Sequence, residues 1–453
     1  MKYFGTDGIR RIANTELTPE LVYNVAKAGA YVLAKHSDHT PTILIGRDTR
    51  ISGTLIEAAM TAGFLSYGAN VKLVGVVPTP GIAYLTKKLK ADASVVISAS
   101  HNTFEFNGIK YFSNKGMKLP DEIEEEIEEV LDSGKLDELS AFGNKIGVSE
   151  IREDLLDEYL YFFRKNFEDA YEELDKDNFT VAVDTANGAT SVIADKTFTA
   201  LGINHYIINS TPNGENINDN CGSTHLDGLK KFVVANKCDL GIAYDGDGDR
   251  CLAVDENGEE IDGDQIMAIV ANYMKNKGTL KNNTLVATVM SNLGLRKFCD
   301  QNDINLEVTK VGDRYVLVNM LENGHNLGGE QSGHIIFLDA NPTGDGIFTS
   351  LSLIKVLLET KQKASEAKSI VTIYPQVLIN AKVNSDKKYD FDKDPEIQER
   401  ISKLEAEFEG NGRVLIRPSG TEPLVRVMIE GEDQEVITKK AQELADFIAE
   451  KLK

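Results

Sequence analysis

One unit of sequence recurs three times in this chain: an apolar strand, a turn of small residues, a helix, a break at Gly or Asn, and a second strand. The copies begin at Ile43, Val181 and Leu285. Continuous apolar strands that alternate with helices are typical of parallel sheets that are covered on both faces. Because the copies lie far apart and no short repeat connects them, the pattern predicts three similar α/β domains.

The C-terminal part of the chain follows a different pattern. Strands and helices are predicted there over 377–383, 396–408, 414–416, 424–429 and 435–451. That order is typical of a small α+β domain, and the polar stretch 361–369 before it is predicted to be a linker. The expected fold class is therefore α/β, with three similar domains of mixed or parallel sheets and a smaller C-terminal α+β domain around a central cleft.

A length of 453 residues is too great for one ordinary domain. We expect domains over 1–153, 154–254, 255–368 and 369–453. The formal net charge of −22 disfavours nucleic acid as a partner, because such a chain repels a phosphate backbone. The sequence has no apolar run of membrane-spanning length and no secretory signal at its start, and its four cysteines show no disulfide spacing. We therefore expect a cytoplasmic protein that binds no membrane.

Three aspartates alternate with glycines directly after a predicted strand: Asp245, Asp247 and Asp249. The glycines allow the loop to curl, so the three carboxylates converge and need a hard cation such as Mg²⁺. A solvated loop is the simpler alternative. A calcium-binding EF-hand is excluded because Arg250 stands where that loop requires Gly, and because the flanking segments are predicted strands.

Ser100 follows the apolar run Val95–Ile97, and His101 comes next. The end of a strand places a serine in the crevice where α/β sheets bind ligands. On pattern alone, a serine at a strand end without chemistry is the commoner case. The same holds for His101, which would more often be a surface or hydrogen-bonding histidine.

Two further segments have the composition of ligand-binding loops. Arg417, Ser419, Gly420, Thr421 and Arg426 combine guanidinium groups, hydroxyls and exposed backbone, which is typical of a phosphate site. A plain turn between two strands is the alternative. In the second segment, 328–334, glycines flank Glu330 and Ser332, which have the chemistry to bind sugar hydroxyls.

Taken together, the motifs resemble the α-D-phosphohexomutase family. They occur in the family's order along nearly the whole chain: FGTDGIR at 4–10, GRDTR at 46–50, SASHN at 98–102, DGDGDR at 245–250, GEQSGH at 329–334 and RPSGTEP at 417–423. The segments 288–295 and 311–316 are most similar to the subgroup that acts on glucosamine phosphates. Arg11 and Thr103 depart from the family's pattern, and neither is an expected ligand or nucleophile.

The resemblance implies that Ser100 carries the transferred phosphoryl group and, with Asp245, Asp247 and Asp249, holds one Mg²⁺ ion. It implies that Lys110 is the general base, with a pKa that cationic neighbours lower. The other residues with implied catalytic or substrate-binding roles are Arg10, His101, His334, Arg250, Asp313, Arg314, Glu330, Ser332, Arg417, Ser419, Gly420, Thr421 and Arg426.

The implied reaction interconverts glucosamine 6-phosphate and glucosamine 1-phosphate, with a hexose 1,6-bisphosphate as activator, in a monomer or homodimer. Three alternatives stay open at this point. The chain could act on mannose or glucose phosphates, hydrolyse its phosphoserine as a phosphatase, or bind a sugar phosphate or a cation without turnover.

Overall fold

A computed structural model describes residues 2–5, 7–35, 39–408, 410–419 and 422–453. The chain forms two compact units. Unit 1 comprises Met1–Met290 and Ile304–Ile370, and unit 2 comprises Ser291–Asp303 and Val371–Lys453. Within the described ranges, no helix is both long and apolar enough to span a bilayer.

The first region of unit 1 is a mixed sheet with helices. Its elements are β1 (Ile9–Ile12), α1 (Pro19–Ala34), β2 (Thr42–Arg47), α2 (Gly53–Tyr67), β3 (Asn70–Val76), α3 (Thr79–Leu89), β4 (Ala93–Ile97), β5 (Phe106–Ser113), α4 (Asp121–Asp132) and β6 (Ser149–Ile151). The sheet order is β1-β5-β4-β2-β3-β6. Strands β4, β2, β3 and β6 are parallel, whereas β5 runs antiparallel to both β4 and β1. The carboxyl ends of β2 and β4 therefore lie side by side, which brings the loops after them together.

The second region repeats this plan around another mixed sheet. Its elements are α5 (Leu155–Glu172), β7 (Thr180–Asp184), α6 (Ala194–Ala200), β8 (Asn204–Ile208), α7 (Asp227–Asn236), β9 (Leu240–Tyr244), β10 (Cys251–Asp255) and β11 (Glu260–Ile261). The sheet order is β11-β10-β9-β7-β8. Because β10 and β11 pair antiparallel through a turn at Gly258 (φ +84°), this sheet continues past the expected domain boundary at residue 254.

The third region has its own four-stranded sheet. Its elements are α8 (Gly263–Asn276), β12 (Thr284–Thr288), α9 (Leu293–Gln301), β13 (Asn305–Thr309), α10 (Asp313–Asn323), β14 (Leu327–Gly329), β15 (Ile335–Phe337), α11 (Gly346–Thr360) and α12 (Ala364–Lys368). The sheet order is β13-β12-β14-β15. Helix α9 lies between β12 and β13 in sequence but belongs to unit 2. The expected linker contains α12, and Lys368 Nζ lies 2.7 Å from Asp255 Oδ2, so the linker prediction is wrong for this helix.

Besides α9, unit 2 contains β16 (Gln376–Lys382), α13 (Pro395–Glu407), β17 (Gly412–Pro418), β18 (Leu424–Gly431) and α14 (Gln434–Lys451). Its strands form an antiparallel sheet in the order β16-β18-β17. The apolar side chains of β18, such as Val427 and Ile429, share a core with Ile437 and Leu444 of α14. The fold-class prediction of α/β domains followed by a small α+β domain is confirmed.

Candidate active site

Ser100 lies in the loop after β4, and its side chain is almost fully buried, with the residue 2% exposed. Its Oγ donates a 2.7 Å hydrogen bond to Asp245 Oδ2. His101 Nδ1 lies 3.4 Å from the same Oγ. The structure therefore brings together the serine of the SASHN segment and the first aspartate of the DGDGDR segment.

The three aspartates lie in the turn between β9 and β10, and their side chains are buried. One carboxylate oxygen of each lies within 4.8 Å of the others. Among the described residues, Asp247 Oδ1 and Asp249 Oδ1 are buried and have no hydrogen-bond partner. Three buried carboxylates this close together, two of them with an unpartnered oxygen, fit a hard divalent cation. The site therefore has the donor set for a metal ion, with Ser100 Oγ beside it.

Burial and mutual repulsion set the charges of these carboxyls. Burial raises the pKa of Asp245 well above its usual value, and the nearby charges of Asp249 and Asp247 raise it further. Burial also acts to raise the pKa of Asp249, but the hydrogen bond from His334 and the charge of Lys110 outweigh it and lower that pKa. The close approach of these carboxyls therefore disfavours the charge on Asp245, and a bound cation would offset that repulsion.

Lys110, on β5, lies among these carboxylates. Its Nζ is 2.9 Å from Asp247 Oδ2, 3.1 Å from Asp7 Oδ2 and 3.9 Å from Asp249 Oδ2. Burial lowers the pKa of Lys110, but the three carboxylates together outweigh burial and raise it above its usual value. The expected lowering by cationic neighbours is therefore not found, because the nearest charged groups are anions.

A cavity of about 770 Å³ opens beside Ser100. The predicted site residues that line it are Ser100, Arg10, His101, Asp249, Arg250, Asp313, Glu330 and His334. Asp7 and Lys118 also line it. Most of the catalytic and sugar-binding residues named from the sequence therefore share one cavity within unit 1.

The two histidines in this cavity have different electrostatic surroundings. Burial, together with Arg250 and Arg10, lowers the pKa of His101 to about 4, so its ring is neutral. Burial lowers the pKa of His334, but Asp249 and Asp313 outweigh this and raise it. The backbone N–H of Gly344 donates to His334 Nε2 at 3.0 Å, so in the neutral ring the proton is on Nδ1, which lies 3.5 Å from Asp249 Oδ2.

Two arginines supply positive charge at the cavity wall. Arg10 donates from Nη1 to Asn102 Oδ1 at 2.9 Å and from Nη2 to Asp7 Oδ2 at 2.8 Å. Arg250 Nε is buried, and no described residue accepts a hydrogen bond from it. A buried guanidinium N–H without a partner, in a wall that faces a cavity, is suited to an anionic ligand.

The remaining predicted residues of unit 1 differ in their placement. Glu330 Oε1 accepts from the backbone N–H of Gly312 at 3.0 Å, and Asp313 Oδ2 lies 2.7 Å from Lys118 Nζ. Ser332 is half-buried and does not line the cavity. Arg314 lies outside it, where Nη2 donates to the Leu119 carbonyl at 2.8 Å and its guanidinium pairs with carboxylates of α4.

Sequence reasoning gave no role to several residues that hold this site together. Thr79 Oγ1 donates to Asp247 Oδ2 at 2.6 Å, and Lys118 pairs with Asp7 and Asp313. Asp7 lies inside the FGTDGIR segment, so its motif was a signal. Thr79 and Lys118 lie outside all the quoted motifs, and only the three-dimensional structure reveals them.

In unit 2, Arg417 of β17 and Arg426 of β18 are directly paired across the two antiparallel strands. Burial lowers the pKa of Arg417, and the charge of Arg426 lowers it further. Like charges at opposed positions destabilise a sheet, so this pairing is suited to a bound anion. Ser419 is buried nearby in the chain, and Gly420 and Thr421 lie outside the described residues.

Four family models together match most of the chain. Their descriptions are phosphoglucomutase/phosphomannomutase alpha/beta/alpha domain I over residues 1–138, domain II over 157–258, domain III over 262–374 and the C-terminal domain over 378–447. The chain belongs to the phosphoglucomutase/phosphomannomutase family. This confirms the resemblance to α-D-phosphohexomutases that the motifs indicated.

Within this family, the chain is similar to curated phosphoglucosamine mutases. It is 53% identical over 451 residues to that of Ruminiclostridium cellulolyticum, covering 100% of this chain and 99% of the relative. It is 54% identical over 452 residues to that of Acetivibrio thermocellus, with the same coverage.

Solved structures of the family share the fold. A putative phosphomannomutase from Thermus thermophilus matches with a TM-score of 0.79 at 21% identity, covering 98% of each chain. An N-acetylphosphoglucosamine mutase from Aspergillus fumigatus, solved in complex with GlcNAc-6P and magnesium, matches with a TM-score of 0.69 at 17% identity. That match covers 100% of this chain and 96% of the other.

Proposed function

We propose that this chain interconverts glucosamine 6-phosphate and glucosamine 1-phosphate through a phosphorylated Ser100. The activity is that of the curated relatives, which match the chain from end to end. The observation that carries the proposal is the 2.7 Å hydrogen bond between Ser100 Oγ and Asp245, one of three converging aspartates. A nucleophilic oxygen beside a cation site is the arrangement that phosphoryl transfer requires.

In the proposed reaction, the phosphoryl group leaves Ser100 Oγ and joins a hydroxyl of the bound sugar phosphate, which yields a bisphosphate. The second transfer returns a phosphoryl group from the other position of the sugar to Ser100. In the first transfer the sugar hydroxyl loses its proton, and in the second the sugar oxygen regains one. We propose Lys110 Nζ for this proton exchange. Its neutral amine accepts the hydroxyl proton in the first transfer, and the resulting ammonium, which its carboxylate neighbours favour, returns a proton in the second.

Asp245, Asp247 and Asp249, with an oxygen on Ser100, are the residues that would hold Mg²⁺. When bound, that ion supplies positive charge that offsets the charge of the phosphoryl and serine oxygens. Within the chain, Arg10, His101 and His334 are proposed to assist with charge and proton handling. Arg250 is proposed to face the transferring phosphate, since its Nε is buried and has no hydrogen-bond partner among the described residues.

We propose that Arg417, Ser419, Gly420, Thr421 and Arg426 bind the phosphate that does not react. The opposed guanidiniums of unit 2 support this role. A cradle with many donors accepts either phosphate of the bisphosphate, which must turn over between the two transfers. A hexose 1,6-bisphosphate is proposed as the activator, because it supplies the first phosphoryl group to Ser100.

For the sugar itself, we propose Glu330 and Asp313 as the principal contacts, because both line the cavity beside Ser100. We also propose that Ser332, in the same segment 328–334 as Glu330, contacts the sugar. Arg314 would need to leave its carboxylate partners on α4 before it reached a ligand in this cavity.

We further propose four domains, over 1–153, 154–261, 262–370 and 371–453. Each of these ranges contains one complete sheet. The last two boundaries are shifted from the sequence-based expectation to follow the β10–β11 pairing and the end of unit 1. A cytoplasmic location is proposed because Cys221, Cys238 and Cys251 are buried thiols that form no disulfide.

The decisive experiment compares Ser100→Ala with the wild-type protein and with Ser133→Ala, a change at an exposed serine. Formation of glucosamine 1-phosphate is measured with Mg²⁺ and a hexose bisphosphate, and intact mass spectrometry detects the phosphate on the protein. Ser100→Ala is expected to lose both the isomerisation and the added phosphate, whereas Ser133→Ala keeps both. Full activity in Ser100→Ala would disprove the proposal.

Side-by-side assays separate the alternatives. Phosphates of glucosamine, glucose and mannose are compared by kcat/KM, and the highest value is expected for glucosamine. A higher value for mannose or glucose phosphate would assign the sister activity. Release of free phosphate without isomer formation would indicate a phosphatase. Binding of a sugar phosphate with neither isomer nor free phosphate formed would indicate a non-catalytic protein.

A further inference from the structure

The backbone of Ser100 has a left-handed conformation, with φ +52°. This region is unfavourable for residues other than glycine, and it persists only where the surrounding structure holds it. Both polar groups of the Ser100 backbone are engaged by side chains rather than by a regular helix or strand. The partners lie outside the cavity and have no place in the proposed chemistry.

The backbone N–H of Ser100 is held by side chains that follow the ends of β4 and β2. It donates to Ser98 Oγ at 2.9 Å, and Ser98 Oγ donates to Asp48 Oδ2 at 2.5 Å. Asp48 Oδ2 also accepts from Arg50 Nε at 2.9 Å. The side chains of Asp48 and Arg50 are fully buried, so this ion pair is shielded from water.

The same arginine holds the carbonyl side of Ser100. Arg50 Nη2 donates to the carbonyl oxygens of Ser100 and Asn102, both at 2.9 Å, and Nη1 donates to that of Thr103. A guanidinium presents several donors in a fixed plane, whereas a lysine presents a single point charge. Three carbonyl oxygens of the serine loop are therefore fixed by one group that lysine cannot replace.

A second donor comes from the region of the second sheet. Asn218 Nδ2 donates to the carbonyl oxygens of Ser100 and Asn102, both at 2.9 Å. Gly246, between the first two metal-site aspartates, packs against this point. A Cβ at Gly246 would lie 2.5 Å from the Ser100 carbonyl oxygen and 2.7 Å from Asn218 Nδ2. The serine loop and the DGDGDR loop are thus fixed to each other through the Ser100 carbonyl.

We propose that Arg50, Asp48, Ser98 and Asn218 are positioning residues that hold Ser100 in its left-handed conformation and aim Oγ at the metal site. The inference rests on the proposed function, because it requires that Ser100 transfer the phosphoryl group. Ser100 Oγ must occupy the same position each time the phosphoryl group leaves it and each time the group is returned to it. A misplacement of about 1 Å from a change away from the chemistry can cost about 100-fold in rate.

The test uses the full-length protein with Mg²⁺ and three variants: Arg50→Lys, Asn218→Ala and Ser98→Ala. Arg47→Lys is the control, since Arg47 is the last residue of β2 and its guanidinium pairs with Glu57 instead. We expect kcat to fall about 100-fold in Arg50→Lys and about 10-fold in the other two variants, with KM within about twofold of wild type. Single-turnover transfer from the phosphorylated protein to glucosamine 6-phosphate should slow by the same factors, while Arg47→Lys keeps the wild-type rate.

Circular dichroism and thermal unfolding measure the folded fraction of each variant and so identify a loss of activity that comes only from unfolding. The inference is overturned if Asn218→Ala and Ser98→Ala keep the wild-type kcat, or if every loss of kcat equals the fraction of protein that is unfolded. If Arg50→Lys does not fold, the other two variants decide. Ser100→Ala is assayed in parallel. An active Ser100→Ala refutes the proposed function itself, whereas an inactive Ser100→Ala with fully active positioning variants refutes only this inference.

Discussion

Beside the aspartate triad, Lys110 is a cation enclosed by carboxylates. Its side chain is only 1% exposed, and Asp7 links it to Arg10 and Lys118. Burial acts to raise the pKa of Asp7, but the positive charges of Lys110, Lys118 and Arg10 outweigh it and hold that pKa well below its usual value. A buried ion pair contributes little relative to an apolar pair, but loss of one partner leaves an unpaired buried charge.

We therefore expect Lys110→Met to destabilise unit 1 strongly when no metal is present. The free energy of unfolding should fall by about 3–5 kcal/mol, because Asp247 and Asp7 lose their shared cation. Excess Mg²⁺ should restore part of this loss, since a bound cation replaces the missing charge. Urea unfolding with and without Mg²⁺ measures both effects.

The matched control is Lys115→Met, at an exposed position in the turn after β5. Its free energy of unfolding should stay within about 0.5 kcal/mol of wild type. If Lys110→Met cost no more than Lys115→Met, the buried charge cluster would have no role in stability.

At the scale of helices and strands, local patterns predicted well what depends on local sequence. The predicted strand that begins at Ile43 is β2, and the helix predicted to run through Phe64 is α2. The stretch 361–369 is predicted to be a linker because it is polar and lacks a strand pattern. It forms α12 through ion pairs and caps with distant residues, such as Lys368 with Asp255, which no local pattern encodes.

The site shows the same division between what the sequence contains and what folding adds. Motif residues such as Ser100 and Asp245 were predictable because the residues next to them in the sequence indicate their chemical role. Asn218 and Lys118 were not, because an asparagine or a lysine outside a motif gains its role only when a distant segment approaches it. Arg50 lies between these cases, since its motif was visible and its three carbonyl partners were not.

The packing of α1 on α2 gives a prediction at this scale. A Cβ at Gly63 of α2 would collide with the carbonyl oxygen of Tyr23 and lie 2.8 Å from Ala26 Cβ, both on α1. Gly63→Ala should therefore lower the free energy of unfolding by about 1–3 kcal/mol through overpacking. It should do so although alanine favours a helix by about 1 kcal/mol over glycine.

The comparison is Gly228→Ala in the first turn of α7, where an added Cβ meets nothing within 4 Å. This variant should be more stable than wild type by up to about 1 kcal/mol, since alanine restricts the unfolded chain. Urea titration with a shared m-value ranks the two variants. Equal stability changes in both would mean that close helix contact at Gly63 does not control this region.

At the scale of the whole molecule, the chain divides into two units with their own cores, and the proposed ligands fall on different units. The aspartate triad belongs to unit 1, and the opposed arginines belong to unit 2. A net charge of −22 disfavours the approach of phosphate to the molecule as a whole. Binding of an anion must therefore depend on the local charge of Arg417 and Arg426 rather than on the overall field.

Ligands should therefore stabilise the two units separately, which hydrogen exchange measures segment by segment. Saturating Mg²⁺ should slow exchange in unit 1, and inorganic phosphate should slow it in unit 2, each by about 2.7 kcal/mol at 100 times its Kd. Asp245→Asn should abolish only the response to Mg²⁺, since it removes one carboxylate of the cation site. Arg417→Gln should abolish only the response to phosphate, since it removes one of the two opposed guanidiniums. In Arg417→Gln, Arg426 no longer faces a second guanidinium, so the repulsion that a bound anion relieves is gone. A response to phosphate that survives this substitution would therefore place the anion elsewhere.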